Sequence, residues 1–250
     1  MELTTRQKQH FYDKGYVHVP GVVPRIMVDA AVRAINHSVG QGMNVEDMPI
    51  LRAQSYCPEL RTSPLITGLL NATPTWSLAE SLLGAGNINP VKRGQIALRF
   101  PQLDDAPRRF GGHLDGIPTA TNGVPPGTVA NFSMLVGVLL SDLPHDFAGN
   151  FTVWPGTHHQ FEKYFQEHDP MSLADGMPKI DLPEPQQITG QAGDVVLCHY
   201  QLVHGIAPHI STKIRYAIFF RLKHHDHDSH PMEVMSNIWM DWPGLEGVTR

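Results

Sequence analysis

Gly193-Asp194-Val195-Val196-Leu197-Cys198-His199-Tyr200-Gln201-Leu202-Val203-His204-Gly205 is the stretch from which the fold class follows. Gly-Asp sets a turn, an apolar β-branched run predicts a strand, and a second short segment brings His204 and Gly205 back beside it. Gln95–Phe100, Val129–Leu140, Phe151–Trp154 and Ile214–Leu222 share that texture and are separated by Pro/Gly turns. These five strands, with two or three weaker ones, predict an antiparallel sandwich or barrel after Pro90. The chain before Pro90 has a helical pattern. Thr4 or Thr5 caps a helix through Tyr12 that Gly15 ends, and Tyr16–Val19 is extended. Pro24 opens a helix to Val39, and a third helix spans Thr73–Leu83 with Gly84 beyond it. Helices first and strands second give an α+β, β-rich class. Pro101–Thr128 and Gln160–Gln187 are expected to be long loops, the kind of segment that closes over a site.

A length of 250 residues fits one domain, with 1–89 mainly helical, 90–222 the β core and 223–250 a tail. Hydrophobic residues at 41% and charged residues at 17% exclude a disordered chain. A formal charge of −5 argues against nucleic acid or an anionic membrane as partner. Cys57 and Cys198 are too few for a disulfide scaffold or a cysteine zinc site. With no apolar leader and no membrane-length apolar run, the expectation is a cytoplasmic protein. The outlier is histidine, at 15 residues.

The histidines lead to Gly111-Gly112-His113-Leu114-Asp115-Gly116. On an extended segment residues two apart project to one face, so His113 and Asp115 can reach one ion together. His204 is the third candidate ligand, favoured over His199 because a glycine follows it. Two His and one carboxylate on a β-scaffold form the facial triad of non-haem Fe(II) oxygenases, with coordination positions left open. Eleven residues past His204 stands Arg215, whose guanidinium suits a dicarboxylate; Arg221 shares its strand parity and is the alternative.

From end to end the chain resembles the phytanoyl-CoA dioxygenase family of Fe(II)/2-oxoglutarate oxygenases. The resemblance begins at Phe11-Tyr12-Asp13-Lys14-Gly15-Tyr16-Val17 and passes through His113-Leu114-Asp115. It continues through the Gly149–His158 segment, with its Trp154-Pro155-Gly156-Thr157-His158, and ends with Gly193-Asp194, His204-Gly205 and Arg215. It implies a double-stranded β-helix (jelly-roll, cupin-like) core over 90–222 with the N-terminal helices packed on one sheet. It implies Fe(II) on His113, Asp115 and His204, 2-oxoglutarate paired with Arg215, and O2 as oxidant. The expected reaction is hydroxylation of a small molecule with release of succinate and CO2. Gln95 and Arg99 match positions from which relatives help hold the cosubstrate. Halogenating relatives replace the carboxylate ligand, so Asp115 implies hydroxylation, desaturation or rearrangement rather than halogenation. Where several relatives have an aromatic residue after the motif, this chain has Gly116-Ile117-Pro118-Thr119, and Val129–Leu140 is the candidate pocket wall.

Two other classes compete: a metal- or ligand-binding protein without turnover, and a cupin-like metalloenzyme that needs neither 2-oxoglutarate nor Arg215. Among the remaining residues, His158 and His159 fit a surface turn or the rim of the site, and Trp154 and Cys198 fit core packing. Arg108 and Arg109 fit a solvated patch or a steering site for an anionic substrate. His224-His225-Asp226-His227 lacks a scaffold for specific metal binding.

Overall fold

The computed structural model describes residues 1–103 and 110–248. Arg108 and Arg109 lie outside the described residues. Thr4 caps helix α1 (Thr5–Lys14) in a reciprocal box with Gln7, and Gly15, at φ 80°, ends it with its N–H on the Phe11 carbonyl. Strand β1 (Tyr16–Val19) follows directly. Pro24 then precedes α2 (Arg25–Gly40), which buries Val28, Ala31 and Ile35 along one face. Two short helices that the sequence pattern did not announce come next, α3 (Met48–Ala53) and α4 (Pro64–Asn71), the latter capped by Ser63. Helix α5 (Thr75–Leu83) starts two residues later than expected because Pro74 takes the capping position.

The remaining strands are β2 (Gln95–Arg99), β3 (Met134–Leu139), β4 (Phe151–Val153), β5 (Gln186–Gln187), β6 (Val195–His199), β7 (His204–Ile206) and β8 (Arg215–Leu222). They form a five-stranded sheet in the order β1-β6-β3-β8-β2 and a three-stranded sheet in the order β5-β4-β7, antiparallel throughout. The large sheet is covered on both faces. Val17, Leu197, Val136, Ile218, Phe220 and Ile96 point one way, into a core shared with α2, α4 and α5. Tyr16, Cys198, Leu135, Ala217 and Phe219 point the other way and meet Phe151, Val153 and Trp154 of the small sheet and its end. This is the two-sheet, jelly-roll arrangement with helices on one sheet that the sequence led us to expect.

Two expectations are corrected. The stretch Gln160–Gln187 is not one long loop: helix α6 (Thr157–Glu167) runs into its first part, and a 3-10 helix follows at Pro170–Asp175. Phe161 and Phe165, one turn apart, bury together with Leu173, so this segment is core rather than lid. The chain after Leu222 is likewise no loose tail. Residues His227, Met235, Ile238, Asp241 and Trp242 are buried, and α7 (Glu233–Ser236) packs against α6. The segment Val129–Leu140 divides its side chains: Leu135 faces the inter-sheet space, Met134, Val136 and Val138 the helices.

Candidate metal centre

His113 and His204 are set side by side by the backbone. Each donates its N–H to the other's carbonyl, at 2.9 and 3.1 Å, an antiparallel bridge between the 111–115 segment and β7. Such a directly opposed pair projects both side chains to one face, and the two rings lie 4.7 Å apart. Asp115, two residues on, turns to the same side. Glycines make the approach possible. A Cβ on Gly205 would lie 2.8 Å from the Gly111 carbonyl oxygen, and one on Gly112 would lie 2.4 Å from Val203 Cγ1. Trp154, buried, fills the space beside that contact, as core packing requires.

Asp115 Oδ1 is 3.5 Å from His113 Nε2 and 3.6 Å from His204 Nε2, and the three donor atoms lie within 4.8 Å of one another. His204 Nδ1 donates to the Leu202 carbonyl at 3.0 Å, which leaves the Nε2 lone pair for a cation. Burial opposes ionisation of Asp115, but Arg221 and the two imidazoles hold its carboxyl well below the usual carboxylate range. These donors suit a divalent ion of intermediate hardness, the chemistry of Fe(II).

Strand alternation puts Gln95, Ala97 and Arg99 of β2 and Arg215, Ala217, Phe219 and Arg221 of β8 on the inner face. The two β8 arginines differ in kind. Arg221, at one end, is half-exposed and grips Asp115. Arg215, at the other end, is 2% exposed; its Nε donates to the Gly149 carbonyl and its Nη1 to that of Ala97, while Nη2 has no partner. Burial and the facing Arg99 push the Arg215 guanidinium down to about 9. A buried donor of this kind, unpaired, fits an anion entering the inter-sheet space. Between the two arginines the Phe219 ring rests on Gly137 and lies 5.2 Å from Phe151, which in turn lies 5.5 Å from His204.

His199 stands apart from the centre. Its Nδ1 accepts from Gln201 N and its Nε2 donates to the Ile238 carbonyl, both inside the core. His158 is at neither a surface turn nor a rim: it is fully buried in the first turn of α6, bonded to the Tyr12 carbonyl and packed on Gly15. Cys198 fills the inner face as a small apolar group, and burial pushes its thiol up. His224, His225 and Asp226 do approach one another, but His224 Nδ1 accepts from the Asp226 N–H. Two residues at the site lie in stretches that the sequence reading singled out but received no role of their own. Phe132 lies under Arg221 at 5.7 Å, and Tyr200 meets the Phe132 ring edge-on at 5.0 Å, with its buried hydroxyl against Gly116. No local pattern marks either side chain; the packing brings them here.

Residues 11–217 match the family model described as Phytanoyl-CoA dioxygenase (PhyH). The chain belongs to this family. Its members' chemistry, that of an Fe(II)- and 2-oxoglutarate-dependent oxygenase or a related activity, is therefore the chemistry of this chain. Among solved structures, the non-heme alpha ketoglutarate dependent carbocyclase SnoK from nogalamycin biosynthesis is similar at 21% identity and TM-score 0.57, covering 88% of this chain and 83% of that one. HygX from Streptomyces hygroscopicus, solved with nickel and 2-oxoglutarate bound, is similar at 17% identity and TM-score 0.58, covering 89% and 88%. EctD from S. alaskensis is similar at 18% identity and TM-score 0.56, covering 89% and 77%. At these identities the likeness is one of fold. No curated protein sequence matches the chain. Among the described residues no helix is long and apolar enough to cross a membrane.

Proposed function

We propose that this PhyH-family chain hydroxylates a C–H bond of a small molecule, with His113, Asp115 and His204 holding Fe(II) and Arg215 receiving the distal carboxylate of 2-oxoglutarate. The balance is one substrate, one 2-oxoglutarate and one O2 consumed, and one alcohol, one succinate and one CO2 formed. The observation that carries the reading is Arg215 Nη2, a buried guanidinium donor without a partner on the same inner face as Arg221, the residue that grips Asp115 of the triad. Two neighbours support it: HygX was solved with nickel, 2-oxoglutarate and hygromycin B bound, and SnoN with Fe3+, alpha ketoglutarate and nogalamycin RO.

When bound, iron and 2-oxoglutarate supply the activation of O2. The chain supplies everything else. His113, Asp115 and His204 would hold the ion through two imidazole nitrogens and one carboxylate oxygen, a donor set that would leave room for the cosubstrate and O2. Arg215, fixed by two backbone carbonyls, presents its third nitrogen in a set direction, so a carboxylate arrives oriented. Arg99, opposite it in register, adds positive charge to the same pocket. Gln95 belongs to the other end, where its amide joins Arg221 to the Ala53 carbonyl and bounds the cosubstrate space next to Asp115. Phe151 and Phe219 wall the interior with apolar surface and exclude water. With Asp115 as a ligand the centre would lack the place that a halide needs, which favours oxidation of the substrate over its halogenation.

The test is an anaerobic titration of metal-free protein with Fe(II), then 2-oxoglutarate, followed by visible absorption. A weak charge-transfer band that requires both additions, and is absent in His204→Ala, is the expected result. Iron binding without such a band, or a band that survives His204→Ala, would overturn the assignment.

A further inference from the structure

Arg221 does more at this site than close a strand. Its Nε lies 3.0 Å and its Nη2 2.8 Å from Asp115 Oδ2, so both arms of the fork converge on one oxygen. Its Nη1 donates to Gln95 Oε1 at 2.8 Å, while Gln95 Nε2 donates to the Ala53 carbonyl. The Phe132 ring supports the guanidinium plane at 5.7 Å. Among the described residues the ion-pair partners of Asp115 Oδ1 are, by contrast, the two imidazoles. The two oxygens of one carboxylate thus have different surroundings, one committed to protein and one free for a cation.

We infer that Arg221 is a positioning residue of the metal centre: by saturating Oδ2 of Asp115 it restricts that side chain to ligation through Oδ1 alone, with Gln95 and Phe132 holding the guanidinium in place. This rests on the assignment of His113, Asp115 and His204 as ligands. A carboxylate ligand that swings to two-oxygen ligation would take one of the open positions that cosubstrate and O2 require. The fork removes that option before any metal arrives. An ordinary surface ion pair would give a different arrangement, with Arg221 free to leave for solvent and Asp115 indifferent to which oxygen it used.

Charge and positioning predict opposite outcomes, which makes the inference testable. Removing a cation beside a metal site should tighten divalent-ion binding by Coulomb attraction; losing the positioning contact should weaken it, as outer-shell partners do, by about 10- to 100-fold. Co(II) alone is the probe, titrated into metal-free protein and followed by calorimetry and by its visible ligand-field bands. Arg221→Met is expected to bind Co(II) at least tenfold more weakly, with bands changed in position and intensity. Arg221→Lys is expected to recover part of the affinity, and Gln95→Leu, which keeps the ion pair but frees the guanidinium, to fall between wild type and Arg221→Met. If Arg221→Met does not fold, the Lys and Gln95→Leu variants decide, because wild-type affinity and wild-type bands in both would overturn the inference. Equal or tighter Co(II) binding with unchanged bands in a folded Arg221→Met would also overturn it. Asp115→Ala is the separate control: loss of Co(II) binding there alone condemns only the role of Arg221, whereas wild-type binding there condemns the centre itself.

Discussion

At the residue scale, Arg215 carries the greatest contrast between what the fold tolerates and what the site needs. A guanidinium with one nitrogen buried and unpaired costs stability, and that cost is recovered only when an anion arrives. Arg215→Met should therefore leave the melting temperature of the ligand-free protein unchanged or raise it. The same substitution should remove the stabilisation by 2-oxoglutarate and weaken its binding by about 2–5 kcal/mol, the usual loss when one partner of a buried charge pair is truncated. Thermal unfolding with and without 2-oxoglutarate, on Co(II)-loaded protein, reads both effects; a melting temperature that falls sharply without ligand would mean that Arg215 is a structural strut. Gly205 offers the complementary case. Gly205→Ala would drive a methyl against the Gly111 carbonyl and displace the segment that carries His113. Weaker Co(II) binding in a protein that still folds is expected, and unaltered binding would show that the segment yields freely. That His113, Asp115 and His204 would come together was legible from residue type and spacing. The grip of Arg221 on Asp115 was not, because strand parity brought both arginines to one face and only the three-dimensional meeting with the 111–115 segment separates their roles.

At the element scale, the strands were readable because alternation and apolar runs survive at the level of single segments. Val195–His199 matches its expected bounds, and β2 and β8 lie within one residue of theirs. Helix α6 was missed for a physical reason. Its opening Thr157-His158-His159-Gln160 has no helix-favouring pattern, and its start depends on Gly156 in the left-handed region together with side chains that find partners only in distant elements. Those partners form a joint. His158, His159 and Tyr12 meet Trp239, while His199 lies 5.1 Å from Trp242, so α1, α6, β6 and the C-terminal segment converge there. Burial lowers His199 to about 4. Its Nδ1 already accepts a hydrogen bond, which a proton would displace. Because the folded value lies below the unfolded one of about 6.5, the proton binds preferentially to the unfolded chain. The stabilising contribution is complete above about pH 6.5 and declines as pH falls towards 4, by ~3 kcal/mol in all. Urea unfolding between pH 7 and 4 should show this slope, and His199→Gln should flatten it; an undiminished slope in the variant would place the titration elsewhere, with His158, also lowered by burial, the next group to replace.

At the scale of the whole molecule, the expected division into helical part, β core and tail describes the order of elements but not what holds them together. The final segment is bound into the fold by Asp241, 2% exposed, which accepts from Ser133 Oγ at 2.5 Å and meets His227 Nδ1 at 2.6 Å and His230 Nε2 at 3.1 Å. Ser133 immediately precedes β3, and its neighbour Asn131 bonds both His227 and the Pro231 carbonyl, so the clasp ties residues 224–241 to the central sheet. Phe132, between Asn131 and Ser133, is the ring that supports Arg221. No local pattern signals such a clasp; histidines in a polar run resemble a solvated tail until Asp241 is seen among them. Burial favours the neutral acid, but the bonds from His227, Ser133 and His230 prevail and lower Asp241 to about 2. A carboxyl lowered on folding contributes stability that is fully present above its unfolded value near 4 and is lost as pH falls towards 2. Asp241→Ala removes the acceptor that Ser133, His227 and His230 share, and leaving a buried polar group unpaired in this way costs about 1–3 kcal/mol. The expected result at pH 7 is a fall of that size in urea-unfolding stability, together with loss of most of the protection of residues 224–241 from amide hydrogen exchange. Because the clasp shares the 131–133 segment with the support of Arg221, the variant should also weaken Co(II) binding. Wild-type stability in Asp241→Ala would show that apolar packing of Met235, Ile238 and Trp242 suffices to hold the segment, and that the clasp merely follows where that packing leads.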